Sequence, residues 1–127
     1  MMRRLLGLLA ALIIGITGGA VAAVSPALAA ASDCNAYPGT ICLFAGPNYG
    51  LPIWRQYPSQ INGCRNLTGF DNVATIIWNN TSGSVQLNVF QYPNCSGATF
   101  NVNSTYLYNL SGDWWNDKAS SVRVTLA

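Results

Sequence analysis

The chain has 127 residues, four cysteines, no histidine, and six basic against four acidic side chains. Two of the basic residues, Arg3 and Arg4, open an apolar leader; without them Arg55, Arg65, Lys118 and Arg123 balance Asp33, Asp71, Asp113 and Asp117. That neutrality excludes the clustered basic face that nucleic acid or an anionic membrane would require. With no histidine or glutamate and only scattered aspartates, the chain also lacks a base for a Ser or Cys nucleophile and a carboxylate pair, so no catalytic residue and no enzyme is expected.

In chain order, residues 1–29 read as a secretory signal: Arg3 and Arg4, an apolar run from Leu5 to Val24, then the small-residue pattern Ala27-Leu28-Ala29. Export is expected, with the mature chain beginning near Ala30 and no membrane contact once the signal is removed. The remaining residues, 30–127, fit one small domain. A domain of that size is marginal without covalent staples, and in an oxidising compartment Cys34, Cys42, Cys64 and Cys95 supply two disulfides. Three pairings are open. The favoured set is Cys34 with Cys42, a clip on the amino-terminal tail, and Cys64 with Cys95, a bridge between halves. Intervals of seven, twenty-one and thirty residues suit a zinc site poorly.

Beyond Cys34 the hydrophobic period is two. Val85, Leu87 and Val89 alternate with polar neighbours, as do Val122, Val124 and Leu126, and no window carries an amphipathic helical stripe. Turn clusters such as Asn79-Asn80-Thr81-Ser82-Gly83 and Pro93-Asn94-Cys95-Ser96-Gly97 separate these runs. The pattern predicts an all-β sandwich or barrel. Of the aromatics, Trp78 and Trp115 are expected in the core, while Trp114, Tyr106 and Tyr108 could form an exposed ledge for a sugar or protein partner.

An internal repeat organises the domain. Phe70-Asp71-Asn72-Val73-Ala74-Thr75-Ile76 aligns with Trp115-Asn116-Asp117-Lys118-Ala119-Ser120-Ser121 at an offset of 45 residues, and Phe44 to Gly50 aligns with Phe90 to Gly97 at 46. Two copies of a folded hairpin followed by an Asx-hydroxyl turn predict two Greek keys, at about 40–80 and 84–127, packed as a β-sandwich.

Those residues carry a resemblance. Phe90, Cys95 and Gly97 are similar to the aromatic-x4-aromatic-x-Gly hairpin of βγ-crystallin domains, with cysteine in the second aromatic slot. Asn116 to Ser121 satisfies that superfamily's calcium pattern, (Asn/Asp)-(Asn/Asp)-x-x-(Ser/Thr)-Ser. The first copy departs from both: Gly50 follows Tyr49 directly, and Ile76 stands in place of the last serine. The resemblance implies weak calcium sites, with Asp117 and Ser120 as ligands in one, Asn72 and Thr75 in the other, and Asp71 and Asn116 bracing the turns. The same turns would form without metal, since Asx followed by a hydroxyl bonds its own backbone. Lys118 is expected to project away from the loop or to oppose an ion.

A narrower resemblance, in the leader, the Cys34–Cys42 spacing and the closing segment, is to the secreted crystallin-fold peptidase inhibitors typified by the streptomycete metalloproteinase inhibitor. It implies an extracellular protease as partner and a monomeric, secreted protein. No closely spaced cysteine pair closes a loop in the second half, so no reactive-site residue is carried over. The polar segment from Arg55 to Arg65, tethered by Cys64, is the first place to look. A calcium-stabilised structural module and a small secreted antimicrobial or carbohydrate-binding protein are the alternatives.

Overall fold

The computed structural model describes residues 26–126. The expected signal at 1–29 lies, apart from its last four residues, outside them. A helix, α1, spans Pro26–Asn35, followed by β1 (Thr40–Phe44), β2 (Ile53–Gln56), β3 (Cys64–Asn66), β4 (Ile76–Asn80), β5 (Val85–Tyr92), β6 (Ser96–Asn103), β7 (Leu107–Asn109) and β8 (Ser121–Leu126). Single 3-10 turns at Pro58–Gln60 and Pro93–Cys95 precede β3 and β6. Among the described residues no helix is long and apolar enough to cross a membrane.

The strands form two antiparallel four-stranded sheets, ordered β2-β1-β4-β7 and β3-β8-β5-β6. Each half of the chain keeps three strands in its own sheet and gives one away: β3 joins the second sheet, and β7 joins the first. Neither sheet is therefore completed by one half of the sequence. The inner faces bury Ile41, Leu43, Ile77, Leu87, Val89, Val102 and Val122, all at zero exposure. Each fully buried aliphatic side chain of this size contributes roughly 1.5 to 3 kcal/mol of transfer free energy.

The all-β expectation holds, with three local corrections. The unexpected α1 has no amphipathic stripe; its alanines favour the helix intrinsically, and tertiary contacts hold its end. Cys34 is disulfide-bonded to Cys42, Asp33 pairs with Arg55, and Asn80 Nδ2 donates to the Cys34 carbonyl at 3.1 Å. Arg55 also lies over the Tyr37 ring, 3.9 Å from its centroid. This cover explains why every residue of β1 is buried: Ile41 and Leu43 face the main core, while Cys42 and Phe44 join Cys34 and Ile76 in a second cluster on the outer side. Trp78 is the second correction. It stands opposite Cys42 in the register and packs half-buried on that outer cluster, because its neighbour Ile77 takes the core-facing position. The third is Leu126, expected on a half-buried face but 83% exposed, since the end of β8 runs past the core.

The two hairpins fold over as the repeat suggests. A side chain at Gly50 would collide with the Ala45 carbonyl oxygen, and one at Gly97, where φ is +80°, with the Tyr92 ring. The aromatic lying on the second glycine is thus Tyr92, whereas Phe90, the residue in the motif slot, has the Arg123 guanidinium 5.6 Å from its centroid.

The buried Asn79 ties the sheets' connections together. Its Nδ2 donates to the carbonyls of Val85 (3.0 Å) and Val102 (2.8 Å), and its Oδ1 accepts from Thr81 Oγ1 at 2.6 Å. Asn79→Leu keeps the branching at Cγ but removes a partner from each of these groups, and should lower stability by about 2 to 3 kcal/mol. Urea denaturation at unchanged slope measures this; a midpoint equal to that of the unmodified protein would show the carboxamide to be dispensable.

Candidate functional site

The two Asx-hydroxyl turns meet in space as a reciprocal pair. Asn72 (φ 55°) and Asp117 (φ 56°), equivalent in the repeat, both adopt the left-handed conformation that short polar side chains tolerate. Asn72 N donates to the Ala119 carbonyl at 2.9 Å, and Asp117 N to the Ala74 carbonyl at 3.1 Å. The following residue of each loop reaches back to the first strand of its own half: Thr75 N to the Phe44 carbonyl (2.8 Å) and Ser120 N to the Phe90 carbonyl (2.9 Å).

Side chains cross in the same way. Thr75 Oγ1 lies 3.5 Å from Asp117 Oδ1, and Ser120 Oγ donates to Asn72 Oδ1 at 3.2 Å. The structure therefore groups Asp117 with Thr75 and Asn72 with Ser120, not the hydroxyl and Asx of one loop as the linear motif suggests. The reason is the exchange itself, which swings each hydroxyl toward the opposite loop. Asp71 and Asn116 lie beside their neighbours: Asn72 Nδ2 donates to Asp71 Oδ2 and Asn116 Nδ2 to Asp117 Oδ2, each at 3.3 Å. Asn116 Oδ1 is buried without a hydrogen-bond partner among the described residues. Lys118 is drawn off the loop, its Nζ 3.6 Å from the centroid of the Trp114 ring.

This donor set is all oxygen, the chemistry a hard cation asks for. No group of three or more His, Cys, Asp or Glu side chains gathers among the described residues. An ion here would rely on one carboxylate, a hydroxyl and an amide oxygen supplemented by carbonyls, which sets a low affinity.

The second candidate is the Arg55–Arg65 segment, whose final strand leads directly into the paired loops, where Leu67 N donates to the Ser120 carbonyl at 2.9 Å. Only part of that segment is strand-like. Arg55 is tied to Asp33 and Tyr37, Pro58–Gln60 is a closed 3-10 turn, and Ile61 is buried. After a turn at Gly63 (φ 61°) the chain enters β3, all three of whose residues are exposed. β3 is an edge strand, paired on one side with β8 through Cys64 opposite Arg123, Arg65 opposite Val122, and Asn66 opposite Ser121.

Both flanks of β3 are clamped to the 3-10 turn of the other half. Cys64 is disulfide-bonded to Cys95, as the favoured pairing has it. Asn66 exchanges two hydrogen bonds with Asn94, whose backbone N donates to Asn66 Oδ1 at 2.7 Å while Asn66 Nδ2 donates to Asn94 Oδ1 at 3.1 Å. The turn is itself held: Cys95 N donates to Ser121 Oγ (2.9 Å), which donates to the Tyr92 carbonyl (2.6 Å). Sequence reasoning missed the Asn66–Asn94 clamp; Asn94 was visible as a turn residue, but nothing local marks Asn66.

The aromatic ledge is mostly a seal. Tyr108 meets Phe100 edge-on at 6.3 Å, Phe100 meets Trp115 at 4.6 Å, and Trp115 meets Trp114 at 5.3 Å, closing the side of the sandwich where β6 and β7 end the sheets. Trp115 is half-buried against the main core; Tyr106 and Trp114 remain more than half exposed at the ends of the row.

Two exchanged Greek keys closed by a reciprocal loop pair make up the fold of βγ-crystallin domains. Solved structures with this fold include a chain from work on the evolution of the eye-lens βγ-crystallin domain fold (TM-score 0.57, 16% identity, covering 71% of this chain and 88% of that one). Others are a βγ-crystallin domain from Clostridium beijerinckii (0.53, 19%, 67% and 95%) and the βγ-crystallin from Ciona intestinalis (0.52, 22%, 68% and 100%). The chain belongs to peptidase inhibitor family I36, which it matches over residues 27–102. No curated protein matches the sequence.

The left-handed backbone at position 117 can be separated from its side chain. Asp117→Gly should fold with little loss, whereas Asp117→Val, β-branched at φ 56°, should cost about 2 kcal/mol. Thermal or urea unfolding checks this, and equal stability of the two variants would remove the backbone from the account of the loop.

Proposed function

We propose that the protein is secreted and inhibits an extracellular endopeptidase, using β3 as its contact strand. The observation that supports this reading is the exposed, edge-on strand Cys64–Asn66, fixed at both ends to a second element. Endopeptidases take up substrates in extended form, adding them as a strand and reading alternate side chains. A strand already held extended gives up little conformational entropy when it docks, so more of its contact energy appears as affinity. Family membership supports the same reading, and the two disulfides suit an oxidising, extracellular setting.

The purified, disulfide-bonded protein should inhibit at least one of a panel of trypsin-like, subtilisin-like and thermolysin-like endopeptidases at submicromolar concentration. A progress-curve assay measures this, and full protease activity at micromolar excess across the panel would overturn the reading.

Calcium binding at the paired loops is a second property, favoured by one observation: the buried, unpaired Asn116 Oδ1 beside an all-oxygen donor set. Asp117 and Thr75 would hold one ion, and Asn72 with Ser120 a weaker one that lacks a carboxylate. At a dissociation constant near 1 mM, 10 mM calcium would stabilise the fold by about 1.4 kcal/mol, raising Tm by roughly 5 °C or more. Calorimetry with calcium and with chelator reads this directly; superimposable melts would remove the ion from the account.

A further inference from the structure

Nine of the chain's thirteen asparagines engage their carboxamides in hydrogen bonds, the Asn66–Asn94 clamp and the buried Asn79 among them. Asn35, Asn48, Asn62 and Asn101 have no such bond among the described residues. Three of these four are followed by a residue held in place. Ala36 N donates to the Ser32 carbonyl at 2.8 Å, Tyr49 packs edge-on against Phe44, and Val102 is fully buried in β6.

Asn62 is the exception, because it precedes Gly63 in the chain's one Asn-Gly pair. Both residues are exposed, in a bend that no hydrogen bond closes, and Gly63 N has no partner among the described residues. Gly63 adopts φ 61°, and no atom lies within 4 Å of where its Cβ would stand. A free amide nitrogen thus follows a free carboxamide with nothing crowding either.

We propose that Asn62 is a self-modification site, at which Gly63 N attacks the Asn62 side chain and the folded protein converts to isoaspartate and aspartate. Hydroxide takes the Gly63 N–H proton, and the nitrogen's electron pair forms a bond to Asn62 Cγ. The Cγ–Nδ2 bond breaks, and ammonia leaves with a proton from water, which restores the hydroxide. Water then opens the succinimide ring. Addition at Cγ gives aspartate in an ordinary main chain; addition at the main-chain carbonyl carbon leaves the peptide link running through Cγ, as isoaspartate. One water is consumed and one ammonia released, so no other reactant is needed. Having both reacting groups in one chain favours ring closure, and the obstacle that remains is a Cβ on the following residue, which glycine lacks.

Either product brings a carboxylate into the segment 30–127, whose charges otherwise cancel. Isoaspartate also adds one carbon to the main chain just before β3. The strand keeps its place, because Cys64 is bonded to Cys95 and Asn66 to Asn94 beyond the altered link. The modification needs no partner and stands apart from the inhibitory reading.

The test incubates the disulfide-bonded protein at mildly acidic and mildly alkaline pH, then reduces it, digests it with trypsin and maps the products by mass. Asn62 is the single asparagine of tryptic peptide 56–65. That peptide should gain the mass difference between amide and acid at least about tenfold faster than any other asparagine does, and faster at the higher pH. An isoaspartyl-specific carboxyl methyltransferase should label it, but not its counterpart from Asn62→Gln, whose ring would be one atom larger. The folded protein should convert at a rate comparable with that of the reduced, denatured chain, and Asn62→Gln should melt like the unmodified protein. Conversion at least about tenfold slower in the folded protein would show the bend to be closed and overturn the proposal. Conversion spread evenly over the other asparagines, labelling that survives Asn62→Gln, or a lowered Tm for that variant would overturn it as well.

Discussion

The pair of backbone hydrogen bonds from Asn72 to Ala119 and from Asp117 to Ala74 is the constraint on which the rest of the domain turns. Each bond requires a left-handed residue in one loop and a fully buried alanine in the other, so neither loop can take its shape before the two halves have met. The same exchange governs the strands, since β3 and β7 each complete the sheet of the opposite half. A fold wired this way gains its cooperativity from long-range contacts, and the ordering entropy of both halves is paid in a single step.

The staples follow from that wiring. The main core alone leaves the outer face of β1 bare, and the chain covers it with α1, fixed by Cys34–Cys42 and by Arg55 between Asp33 and Tyr37. The second disulfide acts across the exchange, joining β3 to the turn before β6. Each such link is worth about 2 to 4 kcal/mol, a large share of the stability of a domain this small. The paired loops join the halves at one place and Cys64–Cys95 at another, so β3 sits on a part of the molecule restrained from two directions.

What was legible in the sequence is what repeats or alternates. Leu87 and Val89 announce a strand face by their period, and the 45-residue offset between Asn72 and Asp117 announces two equivalent turns, which the backbone angles at those residues match. The cysteine pairing could be favoured because one short and one long interval suit a tail clip and a bridge. Relations that exist only across the exchange were not legible. A linear motif gives no sign that Thr75 faces Asp117 and Ser120 faces Asn72, because each partner lies more than forty residues away in the chain. Trp78 was misplaced for a related reason: periodicity shows that Ile77 and Trp78 face opposite ways but not that the outer face has a hydrophobic cover of its own. The helix escaped notice because a run of alanines has propensity without a pattern.

The two open sides of the sandwich are finished differently. Where β6 and β7 end the sheets, a row of aromatic rings seals the seam; where β2 and β3 end them, β3 keeps a bare backbone edge. Exposed strand edges invite pairing with any other extended chain, including a second copy of the same protein. An antiparallel pairing of two β3 strands centred on residue 65 would set two guanidinium groups directly opposite each other, an arrangement that like-charge repulsion penalises. The charge in the middle of the bare edge thus disfavours one visitor in particular, the edge's own twin.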